Sequence, residues 1–333
     1  MATAREIKRR ITSVKSINQV TSALEAVSAS SMRRAQSAVL SSRPYAQFAY
    51  EVLVHIASQS KGTPLHPLLE VREPVTQIGV LLITGDRGLA GAYNTNIIRR
   101  ATRFAEEYGV PVRWVTVGRK GRDAVRRWIA RQQSNPNAPA PLKQQEIVAE
   151  FSHLPADPNL SDVAQIAQVV LDEFLRVPVD EMFIAYTNFI NTVTQQPRVL
   201  PLLPLRPFEA RTRSIMDLVE AKPASEQSHR VYTYEPDAEG ILNEVLPRFT
   251  ELQILQALRE SLSSEHSSRM VAMRNASEAA EELRGSLQLQ FNKARQLAIT
   301  NELLDIIGGV EALKTSDNGK GPAREGDEYG SSN

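Results

Sequence analysis

The residues best placed to do chemistry form the run GDRGLAGAYN at 85–94, which lies between a short apolar stretch and a helix-like one. A glycine turn joining strand to helix is where nucleotide folds cradle phosphate on backbone N–H groups. Here Gly85, Gly88 and Gly91 are spaced G-x-x-G-x-x-G, not G-x-G-x-x-G, and no Lys-Ser/Thr pair follows to make a P-loop. Glycines so placed also serve a tight turn, and phosphate binding is the minor reading. The five histidines, His55, His66, His153, His229 and His266, are scattered with no helical i, i+4 pair, and the chain has no cysteine, so no metal site is expected. No serine sits in a G-x-S-x-G elbow. Glu278, Glu281 and Glu282 cluster, but Arg274 and Arg284 flank them, as on a solvated, salt-bridged helix face. The residues therefore predict no catalytic group, no cofactor and no metal.

Charge narrows the partners. Lys plus Arg number 39 against 38 Asp plus Glu, so bulk charge argues for neither a nucleic-acid coat nor a membrane-surface binder. Within residues 1–35, however, Arg5, Lys8, Arg9, Arg10, Lys15, Arg33 and Arg34 face only Glu6 and Glu25. No aromatic residue precedes Tyr45, and without stacking side chains this basic stretch lacks the marks of nucleic-acid binding. A helix entering an acidic protein socket accounts for it. No segment approaches the roughly 18 uninterrupted apolar residues of a membrane helix, and the N-terminal text does not read as a signal peptide. Any membrane link is expected to pass through a partner.

The elements that must position these residues fall into zones. Residues 1–58 read as one helix: no Gly interrupts 4–58, and Ile7, Ile11, Val14, Ile17, Val20, Leu24 and Val27 recur three or four apart. Such a narrow stripe predicts a coiled-coil seam, which needs a second long helix to be stable. After a linker at 59–74, residues 75–210 alternate strand and helix. Strands are expected at Gln77–Thr84, Val112–Val117, Glu146–Phe151, Glu181–Phe189 and Arg198–Leu203. Helices are expected near Thr95–Tyr108, Arg122–Arg131 and Leu160–Leu175, with a loop at 135–141. This alternation predicts a mostly parallel, doubly wound α/β domain with helices on both faces. A connecting segment (211–239) leads to a second long helix at 240–313, whose apolar face begins Leu242, Val245, Phe249, Leu252, Leu255, Leu258, Leu262 and continues through Met270, Met273, Ala276, Ala280, Leu283 and Leu287. At 1.5 Å per residue it would be on the order of 110 Å long, too long for one globule. Pro247 predicts a kink or break near its start. The polar stretch 314–333 reads as a disordered tail.

The most informative stretch is FNKARQLAITNELLDIIGG at 291–309. Leu297, Ile299, Leu303, Leu304, Ile306 and Ile307 put apolar side chains on more than one side of a helix that ends there. A free helix end should be polar; this one expects to be enclosed.

These residues, with REIKRRITSVKSINQVTSALEAVSASSMRRAQ, SRPYA, TGDRGLAGAYN, FINTVTQQP, LLPL, YEPD and SSRMVAMRNASEAA in the same order, carry a resemblance covering nearly all of residues 2–313. The chain resembles the γ subunit of bacterial F-type ATP synthase. The resemblance implies an antiparallel coiled coil of the terminal helices within a hexamer of α and β subunits, with the α/β domain at the foot beside the ε subunit and the membrane ring of c subunits. It implies shaft and catch contacts to the β subunits at Arg295, Gln296, Thr300, Glu302 and Arg269, an upper-shaft seam at Ile7, Ile11, Val14 and Leu24, and foot contacts to the c ring at Tyr234, Glu235 and Asp237. Leu24 stands where the family commonly has Met, a change of similar volume. The redox dithiol of the plant-type insertion is excluded, since the chain has no cysteine. The implied location is peripheral, on the cytoplasmic side of the cell membrane. The implied work is mechanical: one charge crossing a membrane releases about 2.3 kcal/mol per 100 mV, and two helices locked by their seam carry that work to distant sites as torque. A soluble nucleotide-binding α/β protein and a self-dimerising coiled-coil scaffold are the alternatives.

Overall fold

A computed structural model of the chain describes residues 3–59, 66–177, 179–205 and 238–317, with the side chains of 40–59, 238–239 and 311–317 not described. The described residues form two compact units: one combines the start of the chain to Thr21 with the stretch from Ala276 onward, the other spans Ser22–Asn275. Two long helices, α1 (Ala4–Gln59) and α6 (Ala238–Asp317), contribute to both.

In the larger unit five strands alternate with helices: β1 (Ile78–Ile83), α2 (Tyr93–Tyr108), β2 (Val112–Val117), α3 (Arg119–Ser134), the short α4 (Ala140–Lys143), β3 (Glu146–Phe151), α5 (Leu160–Arg176), β4 (Glu181–Phe189) and β5 (Gln195–Leu203). Their order in the sheet is β3-β2-β1-β4-β5. The first four strands are parallel, and β5 returns antiparallel along β4. Side chains alternate across the pleat. Leu81, Ile83, Val115, Val117, Met182 and Ile184 face a core completed by α5 and by Leu242, Leu246, Phe249, Leu255 and Leu258 of α6. Ile78, Val80, Leu82, Val112, Trp114 and Phe183 face the other core, with Ile97, Ala101 and Ala105 of α2 and Val125 and Trp128 of α3. The doubly wound α/β fold read from the sequence is the one observed.

Local differences have local causes. Helix α5 is capped by Asn159, whose side chain accepts the N–H groups of Ser161 and Asp162 while Asp162 accepts the Asn159 N–H. The same reciprocal cap starts α1: Glu6 accepts the Thr3 N–H and the Thr3 hydroxyl accepts that of Glu6. Part of the expected loop at 135–141 belongs to α4. Pro247 does not break α6, which continues through it and through Gly308-Gly309 to Asp317; the rest of the tail lies outside the described residues.

The seam of α1 follows a different rule from the apolar series. Ile7, Val14, Thr21, Ser28 and Ala35 are buried at a spacing of seven, joined by Met32 and Val39. Ile11, Asn18 and Glu25 lie half-buried between them, and Leu24 flanks the row, also half-buried. Ile17, Val20 and Val27, expected in the seam, are 52%, 58% and 61% exposed. The reason is geometric. A strict heptad holds one face toward its partner, and from Val14 onward the apolar residues drift off that face while Asn18, Thr21 and Ser28 occupy it.

On α6 the matching row is Met273, Ala280 and Leu287, again seven apart. In the smaller unit Ile7, Val14, Ala280 and Leu287 pack as one cluster with Ile11, Phe291 and Ala294. Asn18 donates to Glu281 at 3.2 Å, and Ser277 to Thr21 at 2.6 Å. Numbers fall on one helix as they rise on the other, so the pair is antiparallel. In the larger unit Arg259 likewise donates to the Ala38 carbonyl.

Leu287→Ala should therefore cost about 2–4 kcal/mol by opening the seam, whereas Ile17→Ala should stay within about 0.5 kcal/mol. Urea denaturation followed by circular dichroism compares them; equal losses would place the seam back on the apolar series.

Candidate functional site

Two places on α6 merit a functional reading, its end and its passage beside the sheet. Every residue from Arg295 to Val310 is exposed, including Leu297, Ile299, Leu303, Leu304, Ile306, Ile307 and Val310. At 3.6 residues per turn these seven side chains cover about half of the helix circumference. Asn301 and Asp305 occupy the opposite half, with Arg295 and Glu302 toward the borders. Gln296 and Thr300 fall inside the apolar half, one turn apart, and the Thr300 hydroxyl donates to the Gln296 carbonyl at 2.9 Å. The end of α6 is thus an apolar half-cylinder with two polar side chains set into it, far more contiguous apolar surface than an isolated helix end carries in water.

On α1, Arg5, Lys8, Arg9, Arg10, Lys15, Arg33 and Arg34 are all exposed, so the basic excess of the sequence is available to a partner. Leu24 and Ile11 lie along the helix pair as described. Tyr234, Glu235 and Asp237 lie outside the described residues.

The second place is the carboxyl end of the sheet. Strand order reverses direction about β1, and the crevice beyond the ends of β1 and β4 is where open α/β sheets take ligands. The glycine run follows β1 into this crevice, and α6 already fills it. The Glu265 carboxyl lies so close that a Cβ on Gly85 would stand 2.8 Å from it. Gly91, at φ +53°, leaves room for the Ser268 hydroxyl, which donates to the Ala90 carbonyl at 2.7 Å. The Gly85 N–H is taken by the Asn94 side chain. Asp86 accepts the backbone N–H groups of Arg119 and His153. The turn is therefore shaped to receive a helix, which gives the glycines a use without phosphate.

Electrostatics in the crevice follow from burial. Arg269 and Glu265 form an ion pair at 2.5 Å with side chains only 13% and 10% exposed, and Arg269 also reaches the Gly88 carbonyl at 3.4 Å. Arg269 is thus engaged within the α/β unit, whereas Arg295, Gln296, Thr300 and Glu302 stand on the open tip. Burial raises the Glu265 carboxyl, opposed by Arg269, and burial followed by the Glu265 charge raises the Tyr93 phenol. His266 is pushed down to about 4, by burial first and then by Arg269 and Arg34. The sequence reading missed Glu265 and the serines around it. Their spacing in SLSSEHSSRM, three or four apart on one helix face, was the available signal. Among the described residues no group of side chains has the makings of a metal site, and no helix is long and apolar enough to cross a membrane.

A doubly wound sheet whose crevice is filled by a long helix, terminal helices that pair antiparallel, and a bare apolar helix end define a stalk-type architecture. A family model described as ATP synthase matches residues 3–313. The ATP synthase gamma chain of Dehalococcoides mccartyi (strain CBDB1) is 44% identical over 314 residues, covering 94% of this chain and 100% of the relative. That of Chloroflexus aurantiacus (strain ATCC 29366 / DSM 635 / J-10-fl) is 43% identical over 317 residues, covering 94% and 99%. The chain belongs to the ATP synthase gamma-chain family. In fold it is similar to a chain of the Euglena gracilis mitochondrial ATP synthase (OSCP/F1/c-ring), with TM-score 0.59, 20% identity and coverage of 98% and 99%. It is likewise similar to one of the Tetrahymena thermophila mitochondrial ATP synthase central stalk and c-ring, with TM-score 0.54, 23% identity and coverage of 78% and 99%.

Two outcomes test this geometry. Gly85→Ala should destabilise the fold by about 1–3 kcal/mol, because the Glu265 carboxyl is held by Arg269 and cannot simply swing away. For His266 the folded value lies below the ordinary 6.5. Its stabilising contribution is therefore complete above about pH 6.5 and is lost as pH falls toward about 4. His266→Asn should flatten that part of the stability–pH curve; an unchanged slope would show the imidazole to be solvated.

Proposed function

We propose that the chain works as the central stalk of an F-type ATP synthase, turning inside a hexamer of α and β subunits and linking ion flow through a membrane c ring to ATP synthesis or hydrolysis. The observation that carries this reading is the exposed apolar half-cylinder at the end of α6. Apolar side chains on this scale require a cover, and an apolar collar that encloses the tip while letting it turn meets the requirement without binding any one side chain permanently. Gln296 and Thr300, set in the apolar half, are placed to make the directional contacts with β-subunit loops, with Arg295 and Glu302 at the border. Water excluded by surrounding apolar groups strengthens such bonds. The basic residues of α1 add a complementary surface for acidic walls.

The role is one of contact and torque, not bond-breaking. A two-helix seam with a heptad repeat resists twisting because side chains at seven-residue intervals interlock. An asymmetric shaft then offers each catalytic subunit a different face and biases each toward a different affinity. Arg269, held by Glu265, would contribute to a partner contact only through N–H groups left over from its internal bonds. Foot contacts through Tyr234, Glu235 and Asp237, an adjoining ε subunit, and a peripheral position on the cytoplasmic side of the cell membrane complete the proposal.

Tagged chain expressed with the other subunits should bring down α and β together. In the purified complex, Arg295→Ala combined with Gln296→Ala should lower ATP hydrolysis about tenfold, the loss expected from hydrogen bonds worth about 1.5 kcal/mol. Full activity in that variant would remove these residues from the interface, and failure of the chain to co-purify with α and β would sink the stalk reading itself.

A further inference from the structure

From Ser261 to Arg269, α6 meets the sheet chiefly through directional polar bonds, alongside the apolar packing of Leu262. The Ser261 hydroxyl accepts the Thr187 N–H at 3.1 Å, and the Ser264 hydroxyl donates to the Thr187 carbonyl at 3.1 Å. Strand β4 has outrun β1 by then, since the last paired residue of β4 against β1 is Ala185. Two hydroxyls of a helix thus supply the acceptor and donor that a neighbouring strand would have given. One turn later Ser267 donates to the Thr192 carbonyl at 2.8 Å and accepts from Gln195 at 3.5 Å. Ser268 donates to the Ala90 carbonyl at 2.7 Å, and Arg269, braced by Glu265, reaches the Gly88 carbonyl. Ser261, Ser264 and Ser267 are at most 1% exposed.

We propose that this row converts the ligand crevice of an α/β fold into a torque-bearing joint, fixing the azimuth of the sheet about the axis of α6. Leu242, Leu246, Phe249, Leu255 and Leu258 hold α6 to the sheet by burial, which is non-directional and resists separation more than slip. The hydroxyl bonds act on main-chain atoms from two different segments, the turn after β1 and the end of β4 with its following turn. Rotation of α6 about its own axis must lengthen bonds to both at once, and a buried carbonyl deprived of its donor bears the full cost of desolvation. The serines are therefore positioning residues, and the proposal rests on the stalk reading above.

The test uses the assembled enzyme, immobilised through its hexamer, with a bead fixed to the α/β unit. The chain has no cysteine, so Asn137→Cys, at an exposed loop, gives a unique attachment point. The readout is the angular spread of the bead during pauses. Ser264→Ala, Ser267→Ala and Ser268→Ala together should widen the variance about twofold, through loss of the bonds to the Thr187, Thr192 and Ala90 carbonyls and of the one accepted from Gln195. Leu258→Ala, which weakens the same contact by its apolar part, should lower the melting temperature and leave the spread near that of the unmodified chain. Equal spread in both variants, or no widening in the serine variant, overturns the joint. Should the triple variant fail to fold, Ser268→Ala alone, at the half-buried end of the row, should still widen the spread measurably; no change overturns the joint. A chain that fails to assemble or turn even without these substitutions would instead refute the stalk reading.

Discussion

An α-helix of 80 residues has no interior of its own, and each of its turns must be covered by something else. That constraint organises the molecule. The first turns of α6 are covered by the sheet and α5, through Leu242, Leu246 and Phe249. The next stretch, around Ser261–Arg269, is covered by the turns at the end of the sheet and is polar because what faces it is backbone. From Ala276 to Ala294 the cover is α1. Beyond Arg295 the chain offers no cover among the described residues, and an apolar half-cylinder remains bare.

The doubly wound sheet shows how a fold can be kept while its usual use is lost. Its crevice has the expected position, with a glycine turn after β1 and a strand-order reversal beside it. Glu265 and Ser268 stand against Gly85 and Gly91, where a bound phosphate would otherwise approach the turn. Glycine at 85 and 91 reflects the approach of a helix, an economical explanation because the same lack of Cβ serves phosphate and helix alike. The buried Glu265–Arg269 pair is costly to desolvate and gains from each other and from the Gly88 carbonyl. A pair of that kind is better at fixing geometry than at adding stability.

The seam between α1 and α6 is equally instructive. Its layers mix Ile7, Val14 and Leu287 with Asn18, Thr21, Ser28 and Ser277. Polar layers in a heptad lower stability and fix register, because Asn18–Glu281 and Ser277–Thr21 are satisfied in only one alignment. A slip of register would displace the whole apolar end of α6 along α1, and the polar layers oppose that slip at the expense of apolar area.

Much of this was legible in the sequence. β2, β3 and β4 stood out at their observed bounds because short apolar runs between turn residues have few other uses, and both terminal helices followed from long runs of helical periodicity, without glycine in 4–58 and with Gly285 alone between Gly240 and Gly308. The apolar end at Leu297–Ile307 was visible as composition, but only the helical wheel of a confirmed helix divides it into halves and places Gln296 and Thr300 within the apolar one. Ile17, Val20 and Val27 misled because periodicity records which residues are apolar, not which face a partner occupies. Partner choice between faces is settled by the summed fit of both helices, a pairwise quantity that one strand of text does not contain. For the same reason the serines were silent and Arg269 read only as a partner contact: the carbonyls they meet lie some seventy to one hundred and eighty residues away. The chain by itself determined the elements, their order and the bare tip; tertiary structure alone decided that the crevice is filled, which residues form the seam, and which charges are free to meet another protein.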